Sequence, residues 1–417
     1  MRKQFGLNDL QLGLITAAFT LVYAAAGIPL GRLAGIGSRK VIMGVGLAVW
    51  SVFTGLNGLA WSFGSYLAVR MAVGIGEACC SPVAASLIGD LFTSSQRSRA
   101  SGFYWLGFPA GLLLAFTTAG LIVRATGTWR ATFFVAMIPG LLVALSTLLI
   151  REPARGRAEA SPALQVPIKD PIRRVLRIRT IWWISLAGVT SNFSGYTAGS
   201  FMVPLLQRYY GLDLGKAADL GGLILGVTGL IGFTAGGWIV DKVHQRSEQG
   251  RLIFGAAAMV VASLATFYAL WVGKGAVGTF ALAFAVGWLF QYQFLVCVFP
   301  AIQDVVEPRL RAVAVAIFFA LVYVLGAALG PTIVGFLSDR AAQAAMIAAH
   351  ASHMSLAFRA IGLHQAMYLI PVMLLATGVA LFYASRTFSA DADAMKYRLS
   401  GRSRGKNDES VDLPIVG

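Results

Sequence analysis

Charge is scarce in this sequence, and acid is scarcer than base. Only 12% of the 417 residues are Asp, Glu, Lys or Arg, while 57% are hydrophobic and the mean hydropathy is +0.72. Such a balance excludes a soluble domain of this size and a disordered chain alike. Cysteine is nearly absent: Cys79, Cys80 and Cys297 all lie in apolar runs, so they read as small hydrophobes, not a disulfide frame. The four histidines, His244, His350, His353 and His364, fall in expected loops or near span ends. His350 and His353 have helical spacing, but no acid or thiol nearby completes a metal set, and no cofactor is expected. At membrane depth neither Gly-x-Ser-x-Gly nor His-Glu-x-x-His occurs, which leaves an intramembrane enzyme without nucleophile or metal. A small-residue cleavage site after the first apolar run is missing too, so that run is expected to stay as a span.

What the chain has is long apolar runs. Windows of about 19 residues pick out candidate spans near 10–30, 41–60, 66–90, 101–123 and 131–150, then near 181–206, 217–240, 252–272, 276–301, 312–337 and 364–385. Runs of this length, rich in the 47 glycines, indicate an all-α membrane protein with 11 spans and not a β-barrel. The net charge of +16 could suit nucleic acid, but its placement is that of membrane topology. One set of alternate segments (31–40, 91–100, 151–179, 241–251, 302–311 and the residues from 386 onward) holds 24 of the 34 lysines and arginines. These segments are expected in the cytoplasm, with residue 1 outside and the chain in a bacterial inner membrane. The expected organisation is an N-terminal bundle over 1–150, a linker over 151–179, a C-terminal bundle over 180–386 and a cytoplasmic tail over 387–417. Late in the linker, Ile172, Val175 and Leu176 set against Arg173, Arg174, Arg177 and Arg179 can form a short amphipathic helix at the inner membrane surface.

An internal repeat emerges from the loop motifs. Gly31-Arg-Leu-Ala-Gly35 closes the first span and Gly237-Trp-Ile-Val-Asp241-Lys242 closes the seventh. Gly89-Asp90 with Arg97 and Arg99 has its counterpart in Gln303-Asp304 with Arg309 and Arg311. Asp90, Arg97, Arg99, Asp241, Lys242, Asp304 and Arg311 are therefore candidates for an inner gate that latches in one state and releases in another. Gly107, Pro109 and Gly111 begin one span, and Gly330-Pro331 is the matching point of the other half; both read as hinge and packing surfaces. Counted against these marks, the N-terminal half lacks one span before its marked helix, as though six plus six spans had lost the first.

Chemistry concentrates in Arg70 to Asp90. Arg70 and Glu77 stand in an apolar run, where ionisable residues are costly and mark a binding or proton site. They lie nearly two helical turns apart on one face, roughly 10 Å along the axis. Burial disfavours an ionised Glu77 and a cation nearby favours it, which is what a proton-coupled switch requires; a permanent ion pair is the alternative. Tyr23, Tyr104, Asn192, Tyr196, Gln291, Gln293, Phe319 and Tyr323 sit at mid-span and could line a cavity for an amphipathic ligand, or could pack helices.

With these residues in view, the chain resembles the spinster-like transporters of the major facilitator superfamily. GIPLGRLAGIGSRK, RMAVGIGEACCSPVAASLIGDLF, YWLGFPAG, TWRATFFVAMIPGLLVALSTLLIREPARG and LGAALGPTIVGFLSD carry the resemblance, in order and at matching spans. It implies two pseudo-symmetric bundles rocking about a central cavity, with alternating access and proton coupling through the acidic and basic positions matched by Glu77 and Arg70. Tyr104, Gly107 and Pro109 match the family's fifth-helix pattern. It also implies an amphipathic, lysolipid- or sphingolipid-like substrate, with protons and membrane lipids as the other partners, no nucleic acid, and a monomer. The family's first helix is absent, and an acid and a base of its gate motif are replaced by Gly35 and Ile36. The alternatives are a carrier of a small organic anion, sugar or drug, and a truncated chain that does not transport.

Overall fold

The computed structural model describes residues 9–159 and 170–399, and these residues are helical nearly throughout. Parts of the expected linker and tail, 160–169 with its two prolines and 400–417, lie outside them. Before the linker come α1 (Asp9–Ile36), α2 (Arg39–Leu56), α3 (Phe63–Glu77), α4 (Cys80–Leu91), α5 (Arg97–Trp105), α6 (Gly107–Thr126) and α7 (Arg130–Ser146). After it come α8 (Pro171–Leu176), α9 (Arg179–Arg208), α10 (Leu214–Gly222), α11 (Thr228–Arg246), α12 (Gly250–Trp271), α13 (Val277–Gln291) and α14 (Gln293–Val305). The chain ends with α15 (Arg311–Leu321), α16 (Leu329–Ala348), α17 (Leu356–Met367) and α18 (Leu369–Leu399).

Every expected span coincides with helix. Nine stretches among the described residues are long and apolar enough to cross a membrane, and the other two expected spans are the helices α5–α6 and α9. Several spans are broken, and proline explains most of the breaks. A helical proline lacks an N–H and crowds the carbonyl four residues earlier. Pro82 points back to Ala78, where α3 gives way to α4. In the same way Pro109 points back to Trp105, the last residue of α5, and Pro371 to Met367, the last of α17. Pro331 points back to Ala327, the end of a π-helical turn over Val322–Ala327.

Contact between the N-terminal and C-terminal helices follows the repeat. Along the chain's two marked helices, α1 packs on α15 and α11 packs on α5. Glycine permits both crossings: a methyl at Gly31 would fall 2.8 Å from the Ala312 carbonyl oxygen, and one at Gly237 2.9 Å from the Arg99 Cα. Elsewhere, α7 and the lipid-side face of α2 leave Val41, Val45, Val52, Leu142 and Leu145 exposed, an apolar surface suited to acyl chains and not to water. The basic helix α8 is shorter than its pattern suggested. Val175 is fully buried against the bundle, and Arg174 pairs with Glu307 at 2.7 Å, so the segment is docked as well as basic.

Candidate functional site

Two constellations take shape, one at the end that carries the basic loops and one at mid-span. At the basic end the two halves are locked by crossed ion pairs. Asp90, at the close of α4, receives Arg311 from the other half at 3.0 Å and also Arg39 from its own. Asp304, at the close of α14, receives Arg97 from the first half and Arg251 from its own. Each acid thus holds one arginine from each half, and Asp90, Arg39, Arg311 and Arg251 are completely buried. Ser94 Oγ also donates to Asp304 at 3.0 Å and lies 2.8 Å from His244 Nε2.

Asp241 plays a different part. Its carboxylate accepts the Ser98 and Arg99 backbone N–H groups at 3.0 and 3.1 Å, the unsatisfied donors at the start of α5, where negative charge is favoured. The Arg99 side chain adds a third bond at 3.1 Å and lies 4.6 Å from the Trp238 ring. In the first half the matching position is Gly35, and there the backbone closes directly: a methyl would sit 2.7 Å from the Arg309 carbonyl oxygen. Lys242, expected beside Asp241 in the gate, is exposed, and no ion pair or hydrogen bond joins it to the gate among the described residues.

Sequence reasoning passed over part of this cluster. Arg39 and Arg251 had been counted only as positive loop residues, yet both begin the span after a marked loop, and that shared register was the available signal. The segment after α7 was also missed. Arg39 donates to the Pro153 carbonyl at 2.6 Å, Gly156 N donates to Asp90 at 3.0 Å, and Arg155 donates to the Ala34 and Gly37 carbonyls at 2.9 and 2.7 Å. Glu152 accepts from Ser38 Oγ at 2.6 Å and from Arg39 N and Nε at 2.9 and 3.1 Å. Burial pushes the Glu152 carboxyl up, but these donors together outweigh it and hold it below its ordinary value.

At mid-span, α3 ends on Glu77 because of the break before Pro82. Among the described residues no hydrogen bond or ion pair reaches its carboxylate. Arg70 is not its ion-pair partner: the guanidinium donates to Tyr66 Oη through Nε and Nη2 at 2.9 and 2.8 Å and packs on the Tyr66 and Phe133 rings. Ser81, one turn after Glu77, bonds Tyr104 Oη at 3.3 Å. Around them runs a connected set of rings from both halves. Tyr23 meets Tyr323 at 4.8 Å, Tyr323 meets Tyr196 at 6.2 Å and Phe319 at 5.8 Å, and Trp105 joins Phe319 to Tyr104 at 6.0 and 5.1 Å. Five of the eight expected lining residues therefore share one cluster.

The other three differ. Gln291 donates to Ser191 Oγ at 3.2 Å and Asn192 to the Gly188 carbonyl at 3.3 Å. Gln293 does not line a cavity: it is buried and donates to Gly232 and Leu289 carbonyls at 2.9 and 3.2 Å, joining α11, α13 and α14. Of the hinge residues, Pro109 and Pro331 sit beside helix breaks, and Gly330 packs with a would-be methyl 2.7 Å from the Phe193 carbonyl. At Gly107 and Gly111, by contrast, nothing among the described residues lies within 4 Å of a methyl.

This geometry has counterparts among known proteins. Protein spinster of Drosophila melanogaster is 29% identical over 349 residues, which are 81% of this chain and 57% of that protein. A probable L-galactonate transporter of Escherichia coli (strain K12) is 26% identical over 58% of this chain and 55% of its own length. The chain thus spans little more than half the length of these two relatives. A crystal structure of a bacterial homolog of the human lysosomal transporter Spinster, inward-facing and occupied, superposes with a TM-score of 0.63 at 28% identity, covering 94% of this chain and 92% of that one. The family model of the Major Facilitator Superfamily matches residues 1–331, and with two helical sets joined through mirrored, crossed ion pairs, the chain belongs to that superfamily.

Proposed function

We propose that this protein is a secondary carrier that moves an amphipathic organic or lipid-like solute by alternating access, with Glu77 as the proton-coupling acid. The observation that carries the reading is the Glu77 carboxylate itself. It stands at a helix break at membrane depth with no ion-pair partner among the described residues, and it lies within electrostatic range of tyrosines contributed by both halves. Such a group changes charge when its surroundings are hydrated or closed, and a charge change at the seam between two halves biases their relative position. The basic end is the cytoplasmic gate in this reading, closed by the crossed pairs of Asp90 and Asp304. The domain division at the 151–179 linker, the bacterial inner membrane and the cytoplasmic C-terminus belong to the same proposal.

Reconstituted into liposomes, the protein should accumulate or expel labelled lysolipid in response to a pH gradient. Glu77→Gln should abolish the gradient-driven part while leaving the protein monodisperse. Intact gradient-driven transport in Glu77→Gln would refute the assignment. A second reading, a small sugar-acid cargo, is favoured by the name of the Escherichia coli relative. In the same assay it predicts uptake of galactonate and none of lysolipid.

A further inference from the structure

The mid-span cluster has a charge and a shape that restrict what it can hold. Among the described residues its one unpaired charged group is the acid Glu77, while the one cation in electrostatic range, Arg70, is engaged by Tyr66 Oη and covered by the Tyr66 and Phe133 rings. The rings of the cluster do not stack in one direction. Tyr23 and Tyr323 meet at 61°, and Tyr196 and Tyr323 at 82°, so they present differently oriented faces around one point. Tyr196 is 39% exposed, which leaves the cluster open on that side. Aromatic faces set at angles to one another, with a carboxylate in electrostatic range, attract organic cations through the ring quadrupoles and through charge.

The geometry points to an organic-cation site in which Glu77 and the rings of Tyr23, Tyr196 and Tyr323 receive an onium head group that displaces the proton from the same carboxylate. The step balances simply: the carboxylic acid releases one proton to water, and the onium takes its place as counter-charge, with no covalent bond made or broken. This rests on the reading of Glu77 as the coupling acid and narrows it to cationic amphiphiles. The titratable groups within electrostatic range of Glu77 are Arg70 and Cys80 on its own span, Tyr23 on α1, Tyr104 on α5, Tyr196 on α9 and Tyr323 after α15. Glu77 is the one among them whose ordinary pKa lets it exchange a proton between about pH 4 and 8.

Tetraphenylphosphonium and tetraphenylborate, ions of one shape and opposite sign, test this when added separately to the purified full chain in neutral detergent, with binding read by thermophoresis. The phosphonium should bind saturably at pH 8 and lose about tenfold in affinity per pH unit once Glu77 is protonated. Glu77→Gln should weaken it at least tenfold and Tyr323→Leu several-fold. At a pH where Glu77 is still protonated, a weakly buffered solution should acidify on binding to the wild type and not to Glu77→Gln. Equal binding of the borate, or phosphonium binding indifferent to Glu77→Gln, overturns the inference. No phosphonium binding combined with Glu77-dependent transport in liposomes defeats the cation site alone. Glu77-dependent phosphonium binding combined with gradient-driven transport intact in Glu77→Gln defeats the coupling role instead.

Discussion

At the scale of the residue, the basic end turns on how costly it is to bury a charge. A buried ion pair adds little net stability, because desolvation offsets most of the attraction, but a buried charge stripped of its partner is penalised by about 3–5 kcal/mol. Asp90 satisfies Arg39 and Arg311 at once, and all three are fully buried. Asp90→Asn should therefore destabilise the closed form by an amount in that range. The expected readouts are a fall of several degrees in Tm and faster thiol labelling of a Ser94→Cys probe at the interface. Adding Arg311→Gln to Asp90→Asn should recover part of the loss; a double variant no better than the single would mean that Arg311 is not the stranded charge. Glu152 sets a pH limit on the same end. Its folded pKa is depressed, so its contribution is present above the unfolded value of about 4.3 and is lost as pH falls through the folded one. Hydrogen exchange of residues 151–156 should accelerate below about pH 4 in the wild type. In Glu152→Gln exchange should be faster at neutral pH and nearly flat across that window.

At the scale of the element, the third span shows how local sequence places a functional group. Pro82 prevents the helix from running through Ala78, so Glu77 ends α3. Pro82→Ala should restore the missing bond and straighten the span. Thermal stability should hold or rise while gradient-driven transport falls at least tenfold; unchanged transport would show that the break does not position Glu77. Much at this scale was legible in the sequence. The spans followed from apolar length, and the tyrosine cluster from polar rings set in apolar runs. Arg97 and Arg311 were found through the repeat, but their partners were not, since the acids they bind lie 207 and 221 residues away. Each had been paired with the acid of its own half, because spacing along one chain carries no record of which loops meet. Gln293 failed for a related reason: a polar residue at membrane depth looks the same whether it faces a cavity or bonds a neighbouring helix's carbonyl.

At the scale of the whole molecule, the crossed arrangement makes the two halves depend on each other. Arg97 and Arg311 each leave their own half for an acid of the other, so the basic end cannot separate without releasing both acids together. Water entering the gap would solvate the released charges and recover the desolvation cost, which in the proposed cycle would keep closed and open forms close in energy. A carrier needs such a balance, and it should be possible to freeze it. Ser94 Oγ and His244 Nε2 lie 2.8 Å apart across the halves, so cysteines at both positions can be joined by a short bifunctional thiol reagent. The native Cys79, Cys80 and Cys297 would first be replaced by serine or alanine. If closing and opening this end are steps of one cycle, the cross-link should stop net transport, and a reductant that cleaves it should restore the rate. Phosphonium binding should survive the cross-link, because the mid-span cluster is already assembled with this end shut. Transport that continues with the two positions covalently joined would mean that solute does not pass by opening the basic end, and alternating access about this gate would have to be abandoned.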